Sequence, residues 1–325
     1  MNFFALVLCA ASVAATPIAQ QHKPGIQRFL STWDASPLAS YPTDLTRGII
    51  PVCFLHHHAV QSTSIDTGQK RIHSHNDYWR DVPLYEALSF GAISVEADVW
   101  LYNSTLFVGH DTSSLTANRT LQSLYIDPLV SILEAQNPST PFAPEKTYNG
   151  VFDTTAEQTL YFWIELKTSG EETLPHVISA LQPLRERGYL TTVNNNTITP
   201  GPITVIGTGN TPLDLVAPVT KRDYFFDGPW MALAENNITA AISPIASCQL
   251  SAAVGEVGAE GLNGTQMEIV KELVKKANER GIEGRFWDLP AWPLKTRNKV
   301  WEQVMDLGVY LLNADDLRAA AATRW

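Results

Sequence analysis

The sequence is poor in cysteine and in positive charge. Three cysteines occur in 325 residues, and no pair of them has the spacing of a structural zinc site. Lys and Arg number 23 against 33 Asp and Glu, which leaves a net charge of −10. A nucleic-acid-binding protein needs a basic surface, so this charge argues against that class and gives no help toward anionic membranes. With 17% charged and 45% hydrophobic residues, the chain does not have the composition of a disordered protein.

The chain also lacks long apolar runs, and the one at its start is typical of a secretory signal peptide. The run from Phe3 to Ala15 is short for a bilayer span and ends in small residues that suit a cleavage site. Because it contains no Lys or Arg, a disordered or membrane-anchoring tail remains an alternative. Residues 1–15 and five glycosylation sequons nevertheless predict a secreted or secretory-pathway protein; the sequons stand at Asn103, Asn118, Asn195, Asn237 and Asn263.

Residues 16–70 are predicted to form a partly irregular N-terminal extension. The segment is rich in Pro, Ser, Thr and Gln and shows little periodicity. Its run His56–His58 cannot present three consecutive side chains to one metal ion from regular structure, so we interpret it as a loop. After signal removal, Cys53 and Cys248 allow at most one disulfide, and two free thiols fit equally well.

From residue 71 to 325, short apolar strands alternate with helical segments. Eight strands are predicted, at Arg71–Ser74, Ser94–Val99, Leu160–Leu166, Ile203–Gly207, Asp223–Phe226, Ala240–Ser243, Gly284–Trp287 and Val309–Leu312. Helical segments such as Leu174–Arg187 lie between them, and several end in a glycine that suits a left-handed cap, at Gly91, Gly188, Gly281 and Gly308. This alternation predicts an α/β fold of the (β/α)8 TIM-barrel type, although a doubly wound sheet would show the same pattern.

Two predicted strands carry acidic side chains. Glu96 and Asp98 stand two residues apart, so both face the same side of their strand. The strand Leu160–Leu166 is apolar enough to be buried on both sides, and Glu165 and Lys167 share one face at its end. Buried carboxylates need a compensating cation, and three carboxylate ligands favour Mg²⁺ or Ca²⁺ over zinc. The alternatives are a solvent-facing edge strand and a structural Glu–Lys pair.

Histidines flank the first acidic strand on both sides. His73 and His75 lie at the end of the first strand, and His110 follows the short apolar run 106–108. Two histidines near a carboxylate-bound cation would form an acid–base pair that works near neutral pH. In a barrel these positions fall at the carboxyl ends of the strands, where active sites form.

These motifs resemble the PLC-like phosphodiesterase superfamily, which includes glycerophosphodiester phosphodiesterases and sphingomyelinase D-like phospholipases and has TIM-barrel folds. The stretches Ser74–Leu84 and Ser94–Trp100 are most similar to the fungal family named altered inheritance of mitochondria protein 6. The resemblance spans about residues 70–320. It is carried by His75, Glu96, Asp98, His110, Asp111, Glu165 and Lys167.

The resemblance implies a role for each of these positions. Glu96, Asp98 and Glu165 would bind one divalent cation, Mg²⁺ or Ca²⁺. His75 and His110 would be the catalytic acid–base pair, and Lys167 would lie beside the phosphate. His73 competes with His75 for the first role, and we favour His75 because it lies further along the strand. The chain departs from the glycerophosphodiesterase pattern His-Arg-Gly by having His75-Asn76-Asp77, which leaves its substrate contact at that point open.

We therefore expect a secreted, metal-dependent phosphoric diester hydrolase or lyase that acts on glycerophosphodiester or phospholipid-type substrates. The expected partner is a small phosphodiester or lipid head group, with no nucleic acid, at most loose membrane contact, and a monomeric chain. The alternatives are a catalytically silent binding protein on the same fold and a barrel glycosidase that uses Glu96 and Glu165. Two weaker expectations are that Trp287 and Asp288 line a head-group pocket and that Asn313 or Asp315 caps the last helix.

Overall fold

The computed structural model describes residues 69–323. The predicted signal peptide, almost all of the extension, Cys53 and the run His56–His58 lie outside the described residues. Within residues 69–323, no helix has both the length and the apolar character needed to cross a bilayer.

The described chain is built from strands and helices that alternate over most of its length. The strands are β1 (Lys70–Ser74), β2 (Ala92–Tyr102), β3 (Thr105–Val108), β4 (Leu160–Leu166), β5 (Thr192–Asn194), β6 (Thr197–Thr199), β7 (Ile203–Gly209), β8 (Lys221–Arg222), β9 (Phe225–Phe226), β10 (Gly228–Pro229), β11 (Ile245–Gln249), β12 (Glu283–Trp287) and β13 (Leu312–Ala314). The helices are α1 (Tyr85–Ser89), α2 (Asp127–Gln136), α3 (Gly170–Ala180), α4 (Gln182–Arg187), α5 (Leu213–Val216), α6 (Leu250–Val254), α7 (Gly264–Asn278), α8 (Leu294–Asp306) and α9 (Leu317–Ala322).

The fold is mixed α/β with a mostly parallel central sheet. That sheet has the order β13-β1-β2-β4-β7-β9, with β3 added antiparallel to β2. A second parallel sheet has the order β10-β11-β12, and a small antiparallel sheet has the order β6-β5-β8. Parallel strands place their carboxyl ends at one edge, so side chains that follow different strands can converge there.

The two parallel sheets approach each other at both ends. Strands β9 and β10 are separated by Asp227 alone; β9 pairs with β7, and β10 pairs with β11. At the other end, Arg285 of β12 forms a parallel bridge pair with Leu311, the residue before β13. Asp227 therefore connects the two sheets along the chain, and Arg285 lies where a bridge pair joins them.

Strand β4 shows how the two faces of the central sheet differ. Phe162 stacks on Tyr125 from the helical segment before α2, with ring centroids 5.2 Å apart, so this face packs against the helices. Trp163 points the other way and contacts the His73 ring edge-on at 5.4 Å. Both Phe162 and Trp163 are fully buried, which explains the continuous apolar run of this strand.

All but one of the predicted strands overlap an observed strand. The predicted strand Ala240–Ser243 is wrong, and the strand follows it as β11. The backbone N–H groups of Ile242 and Ser243 both donate to the carbonyl of Thr239, which forms a turn instead of a sheet ladder. Pro244 then ends this turn, because it has no N–H to donate and disfavours helical backbone before it.

The predicted helix Leu174–Arg187 is two helices, α3 and α4, that meet at Leu181. Pro183 explains the break, since its ring cannot continue the hydrogen bonding of α3 and suits the first turn of α4. The predicted glycine caps are confirmed by positive φ angles of 68° to 91° at Gly91, Gly188, Gly281 and Gly308. That conformation is costly for residues with a side chain.

We predict that Gly284→Ala destabilises the fold. A Cβ atom at this position of β12 would lie 2.1 Å from Cζ2 of the buried Trp230, whose ring packs on Phe286. The ring cannot yield without disturbing this packing, so the free energy of unfolding should fall by about 1–3 kcal/mol in urea titrations. Gly264→Ala is the matched control, because a Cβ there meets nothing within 4 Å. Equal stability of the two variants would contradict this account.

Candidate functional site

Three carboxylates converge at the carboxyl ends of β2 and β4. Asp98 of β2 is the register partner of Glu165 in β4, and Glu96 precedes Asp98 on the same face. One oxygen from each of the three lies within 4.8 Å of the other two. Glu96 and Asp98 are buried, and Glu165 is partly buried. The structure thus brings these three predicted residues together, and they could hold one divalent cation.

The chemistry of this cluster fits a hard cation. Carboxylate oxygens are the preferred ligands of Mg²⁺ and Ca²⁺. Asp98 Oδ1 is buried and has no hydrogen-bond partner among the residues that the structure describes. Burial and the charges of Glu96 and Glu165 raise the pKa of Asp98 to about 7. A bound cation would satisfy the unpaired oxygen and offset this mutual repulsion.

Lys167 lies among the carboxylates. Its Nζ is 2.7 Å from Glu165 Oε1 and 3.0 Å from Asp98 Oδ2. Burial lowers the pKa of Lys167, but the nearby Asp98 and Glu165 raise it by more, so the amine keeps its positive charge. The lysine therefore neutralises part of the acidic cluster and stands next to any anion held there.

His75 lies at the opening of the site. Its Nε2 is 3.8 Å from Glu96 Oε2, and its Nδ1 is 2.9 Å from Asp315 Oδ1. Burial lowers the pKa of His75, but the hydrogen bond with Asp315 and the charge of Glu96 outweigh it, so the pKa is raised above its ordinary value. This ring has a fixed orientation and one nitrogen directed at the carboxylates.

His73 lies beneath the site and has a different environment. It is fully buried, and its Nδ1 is 2.8 Å from Ser94 Oγ. Burial, together with the positive charge of Arg285, lowers the pKa of His73 to about 3. The ring is thus neutral near pH 7, and the geometry gives it less access to a bound molecule than His75 has.

His110 approaches the cluster from the opposite side, after β3. Its Nδ1 is 3.5 Å from Asp98 Oδ2, and the side chain is half exposed. The Trp79 ring packs edge-on against it with centroids 5.5 Å apart. The two predicted catalytic histidines therefore reach different carboxylates, His75 reaching Glu96 and His110 reaching Asp98.

Tyr78 is a site residue that the sequence reasoning missed. Its side chain is buried, and its hydroxyl group lies 2.6 Å from Asp98 Oδ2 and 3.2 Å from His110 Nδ1. It thus connects a carboxylate of the cluster to a histidine. Its place in the stretch Ser74–Leu84, which carries the family resemblance, was the available signal.

The turn after β1 places these groups. Asn76 has a left-handed backbone with φ of 50°, and its N–H donates to Glu96 Oε2 at 3.0 Å. The buried Asp77 accepts hydrogen bonds from the Ser74 hydroxyl at 2.7 Å and from the Leu84 N–H at 2.6 Å. Asn76 and Asp77, which stand in place of the Arg and Gly of the His-Arg-Gly pattern, therefore stabilise this turn through their hydrogen bonds.

Asp315 is the second missed residue, and its predicted role as a helix cap is wrong. The N-cap of α9 is Asp316, whose side chain accepts from the Ala319 N–H at 3.0 Å. Asp315 instead contacts His75, and Asn313 accepts from Arg285. Because Asp316 and not Asp315 caps α9, the Asp315 carboxylate is left to contact His75.

The remaining predicted residues lie at the edge of the site or away from it. Asp111 is exposed and caps the short turn that follows His110. Asp288 accepts a hydrogen bond from Gln249 at 2.7 Å, and Trp287 is partly exposed. These contacts do not test the pocket expected at Trp287 and Asp288. Cys248 is partly buried, and since Cys53 is not among the described residues, their pairing stays a prediction.

We predict that the two neighbouring histidines titrate far apart in metal-free protein. In NMR pH titrations with chelator present, His73 should stay neutral down to about pH 3, whereas His75 should lose its proton above its ordinary pKa of 6.5. Asp315→Asn should lower the pKa of His75, because it removes the carboxylate partner, and should leave His73 unchanged. Two histidines that titrate together near pH 6.5 would refute the geometry.

The sequence matches a known family and several curated proteins. Residues 61–227 match the AIM6-like phosphodiesterase domain. The altered inheritance of mitochondria protein 6 homolog of Arthroderma benhamiae is 47% identical over 327 residues, covering 97% of this chain and 98% of that protein. The altered inheritance of mitochondria protein 6 of Saccharomyces cerevisiae (strain S288c) is 32% identical over 287 residues, covering 81% of this chain and 73% of that protein.

A likeness to a solved structure is weaker. A chain from Silicibacter pomeroyi, assigned as a glycerophosphoryl diester phosphodiesterase, superposes with a TM-score of 0.29 at 11% identity, covering 76% of this chain and 93% of that one. A superposition of this quality carries no argument about fold or function. The family resemblance predicted from the sequence is confirmed by the domain match and by the curated relatives.

Proposed function

The chain belongs to the AIM6-like phosphodiesterase family, and we propose that it is a metal-dependent phosphoric diester hydrolase or lyase with glycerophosphodiester or phospholipid-type substrates. The observation that carries this proposal is the cluster of Glu96, Asp98 and Glu165, whose oxygens lie within 4.8 Å of one another. A histidine stands on either side of this cluster. Hard-cation ligands beside two acid–base groups suit phosphodiester cleavage.

The proposal includes a closed (β/α)8 barrel. Strands β9 and β10 are consecutive and pair with opposite sheets, and the Arg285–Leu311 bridge connects β12 to the segment before β13. Following these pairings passes through β1, β2, β4, β7, β9 with β10, β11, β12 and β13, and returns to β1. That order supports a ring of parallel strands whose carboxyl ends surround one site.

We propose Glu96, Asp98 and Glu165 as the ligands of one Mg²⁺ or Ca²⁺ ion. When bound, such a cation supplies charge neutralisation for the phosphate oxygens and aligns the diester. Two of these ligands also accept a hydrogen bond from a neighbouring group. The Asn76 N–H donates to Glu96, and the Tyr78 hydroxyl donates to Asp98. Such contacts fix the orientation of ligands and tune their affinity.

The other side chains take roles that follow from their contacts. One of the two histidines, His75 and His110, accepts the proton of the attacking hydroxyl, which belongs to water or to the substrate itself, and the other protonates the leaving oxygen. Asp315 holds His75 in one orientation at 2.9 Å. The Lys167 amine remains beside the phosphate, where negative charge develops.

A glycosidase explains the site less well. A glycosidase needs one pair of carboxylates. Here Glu96 and Glu165 share the cluster with a third carboxylate, Asp98. The two histidines and Lys167 would also have no role. A catalytically silent binding protein on the same fold is the remaining alternative.

We further propose that the protein is secreted and acts as a monomer on small phosphodiesters or lipid head groups. All five sequon asparagines are exposed, which supports access by a glycosylating enzyme. Asn263 also caps α7 by accepting from the Gln266 N–H. The net charge of −10 gives no attraction to nucleic acid or to anionic lipid, so we propose at most loose membrane contact.

One experiment separates the three functions. Calorimetric titration of the full chain with Mg²⁺ and Ca²⁺ should show one binding site, and hydrolysis of glycerophosphocholine and of bis(p-nitrophenyl) phosphate should stop when a chelator is added. Metal binding without turnover of either substrate would favour the silent binding protein. Absence of metal binding would refute the metal-dependent enzyme.

In the same assay, His110→Ala should lower the rate by about 10²–10⁴-fold, because it removes a general acid or base. His176→Ala is the matched control: this histidine lies on α3 and should leave the rate unchanged. A His110→Ala variant with nearly full activity would remove His110 from the mechanism.

We predict that Tyr78→Phe weakens the metal site without unfolding the chain. The change removes the hydroxyl group that donates to Asp98 at 2.6 Å and lies 3.2 Å from His110. Loss of a second-layer contact lowers metal affinity or activity by about 10–100-fold, which calorimetry and the diester assay would both record. Tyr102→Phe, at an exposed tyrosine ending β2, is the control. Equal metal affinity in the two variants would show that Tyr78 only packs.

A further inference from the structure

A fourth carboxylate, whose side chain is 8% exposed, faces the same side as the metal-site cluster. Asp98, Glu165 and Thr208 are register neighbours across β2, β4 and β7. The next strand continues the row, because Gly207 pairs with Phe226 and the Thr208 hydroxyl donates to Asp227 Oδ2 at 2.8 Å. Paired residues of parallel strands share a face. Asp227 therefore faces the interior that the site carboxylates face.

Asp227 is largely buried and only half satisfied. Its side chain is 8% exposed, and two hydroxyl groups donate to Oδ2, those of Thr208 and, at 2.6 Å, of Ser247. Oδ1 is buried without a hydrogen-bond partner in the part of the chain that the structure describes. An unsatisfied buried acceptor is costly, so an acceptor kept in this state calls for a donor from elsewhere.

Arg285 stands next to Asp227 and has an unmatched donor. One of its terminal nitrogens is 4.0 Å from Asp227 Oδ2, and the other donates to Asn313 Oδ1 at 2.8 Å. The guanidinium lies over the Trp163 ring, 4.2 Å from its centroid, which fixes its plane. Arg285 Nε is buried and has no acceptor among residues 69–323. The pair therefore combines one free acceptor with one free donor.

The unmatched atoms form part of a larger polar interior. His73 Nε2 and the Trp163 Nε1–H donor are also buried without partners among the described residues. Trp163 contacts both His73 and Arg285, and His73 lies 3.8 Å from Glu96. A continuous set of contacts thus leads from the metal-site carboxylates to Asp227. A molecule bound at the metal-site carboxylates would therefore lie on the same side of the sheet as the unpaired polar atoms of Asp227 and Arg285.

We propose that Asp227 and Arg285 form a recognition subsite for a hydroxyl group on the alcohol part of the phosphodiester substrate. This assignment rests on the proposed function, which supplies the diester. A hydroxyl group suits the pair because it donates and accepts at once, toward Asp227 Oδ1 and Arg285 Nε. A second metal ion does not suit it, because the arginine charge already lies beside the carboxylate. Substrates without a hydroxyl leave both buried atoms unpaired, and they are bound less well.

The test compares a hydroxyl-bearing diester with one that has none. For wild type and Asp227→Asn, kcat/KM is measured on glycerophosphocholine and on bis(p-nitrophenyl) phosphate. The ratio of the two values should fall by about 10–100-fold in Asp227→Asn, because a hydrogen bond to a charged group is lost for one substrate only. An unchanged ratio, including an equal loss on both substrates, would overturn the subsite.

Two further variants separate recognition from folding. Asp223→Asn removes a carboxylate of similar burial, with side chains 10% and 8% exposed at Asp223 and Asp227, but Asp223 binds Arg185 away from the site. This control should keep the wild-type ratio. Arg285→Lys keeps a positive charge and removes the Nε donor, so it should lower the ratio in the same direction even if Asp227→Asn folds poorly. A wild-type ratio in Arg285→Lys would count against the pair.

A binding measurement distinguishes failure of the subsite from failure of the proposed function. Calorimetry compares glycerol 3-phosphate with propyl phosphate, which differ in their hydroxyl groups. Wild type should bind glycerol 3-phosphate at least about 10-fold more tightly, and Asp227→Asn should remove that preference. If wild type cleaves neither diester but shows this preference, the phosphodiesterase proposal fails and the subsite stands. Equal affinity of the two ligands for wild type would overturn the subsite alone.

Discussion

The repulsion among three clustered carboxylates, two of them buried, is the constraint on which the rest of the site depends. Oxygens of Glu96, Asp98 and Glu165 lie within 4.8 Å of one another, where two unit charges repel by roughly 3 kcal/mol at an effective dielectric of about 20. With every carboxylate ionised, three such pairs would be comparable with the whole stability of a domain, about 5–15 kcal/mol, and burial together with this repulsion raises the pKa of Asp98 to about 7. The surroundings must therefore supply positive charge and donors, and Lys167 and the Asn76 N–H supply part of both.

Local sequence patterns predicted the parts of the site that lie within single strands. Period two alone placed Glu96 and Asp98 on one face, and the apolar run of β4 indicated that Glu165 ends a buried strand. The contact between His75 and Asp315 could not be predicted in this way, because 240 residues separate them and the strand order brings them together. Tyr78 was missed for a similar reason, because Asp98, which its hydroxyl group contacts, lies on β2, 20 residues further along the chain.

The fold was predictable where periodicity is strong and uncertain where elements are short. The glycine caps could be predicted from local chemistry alone, because glycine adopts a positive φ angle without the steric cost of a side chain. Strand β10, of two residues, has no periodic signal and exists only through pairing with β11, whereas β9 lies within the predicted strand Asp223–Phe226. The segment Ala240–Ser243 was wrongly predicted as a strand from its apolar residues. Its N–H groups at Ile242 and Ser243 are used within a turn, so they cannot form the hydrogen bonds of a sheet.

His73 of β1 and His75 of the following turn show that the interior can shift the pKa values of two neighbouring histidines in opposite directions. His73 lies on the buried side, where Arg285 and burial lower its pKa to about 3, so it stays neutral and cannot exchange protons near pH 7. His75, two residues later, has Asp315 and Glu96 beside it, and these raise its pKa. Arg285 thus favours anions and opposes a second cation in the interior, and of the two rings it is His75 that combines a raised pKa with a nitrogen directed at the carboxylates.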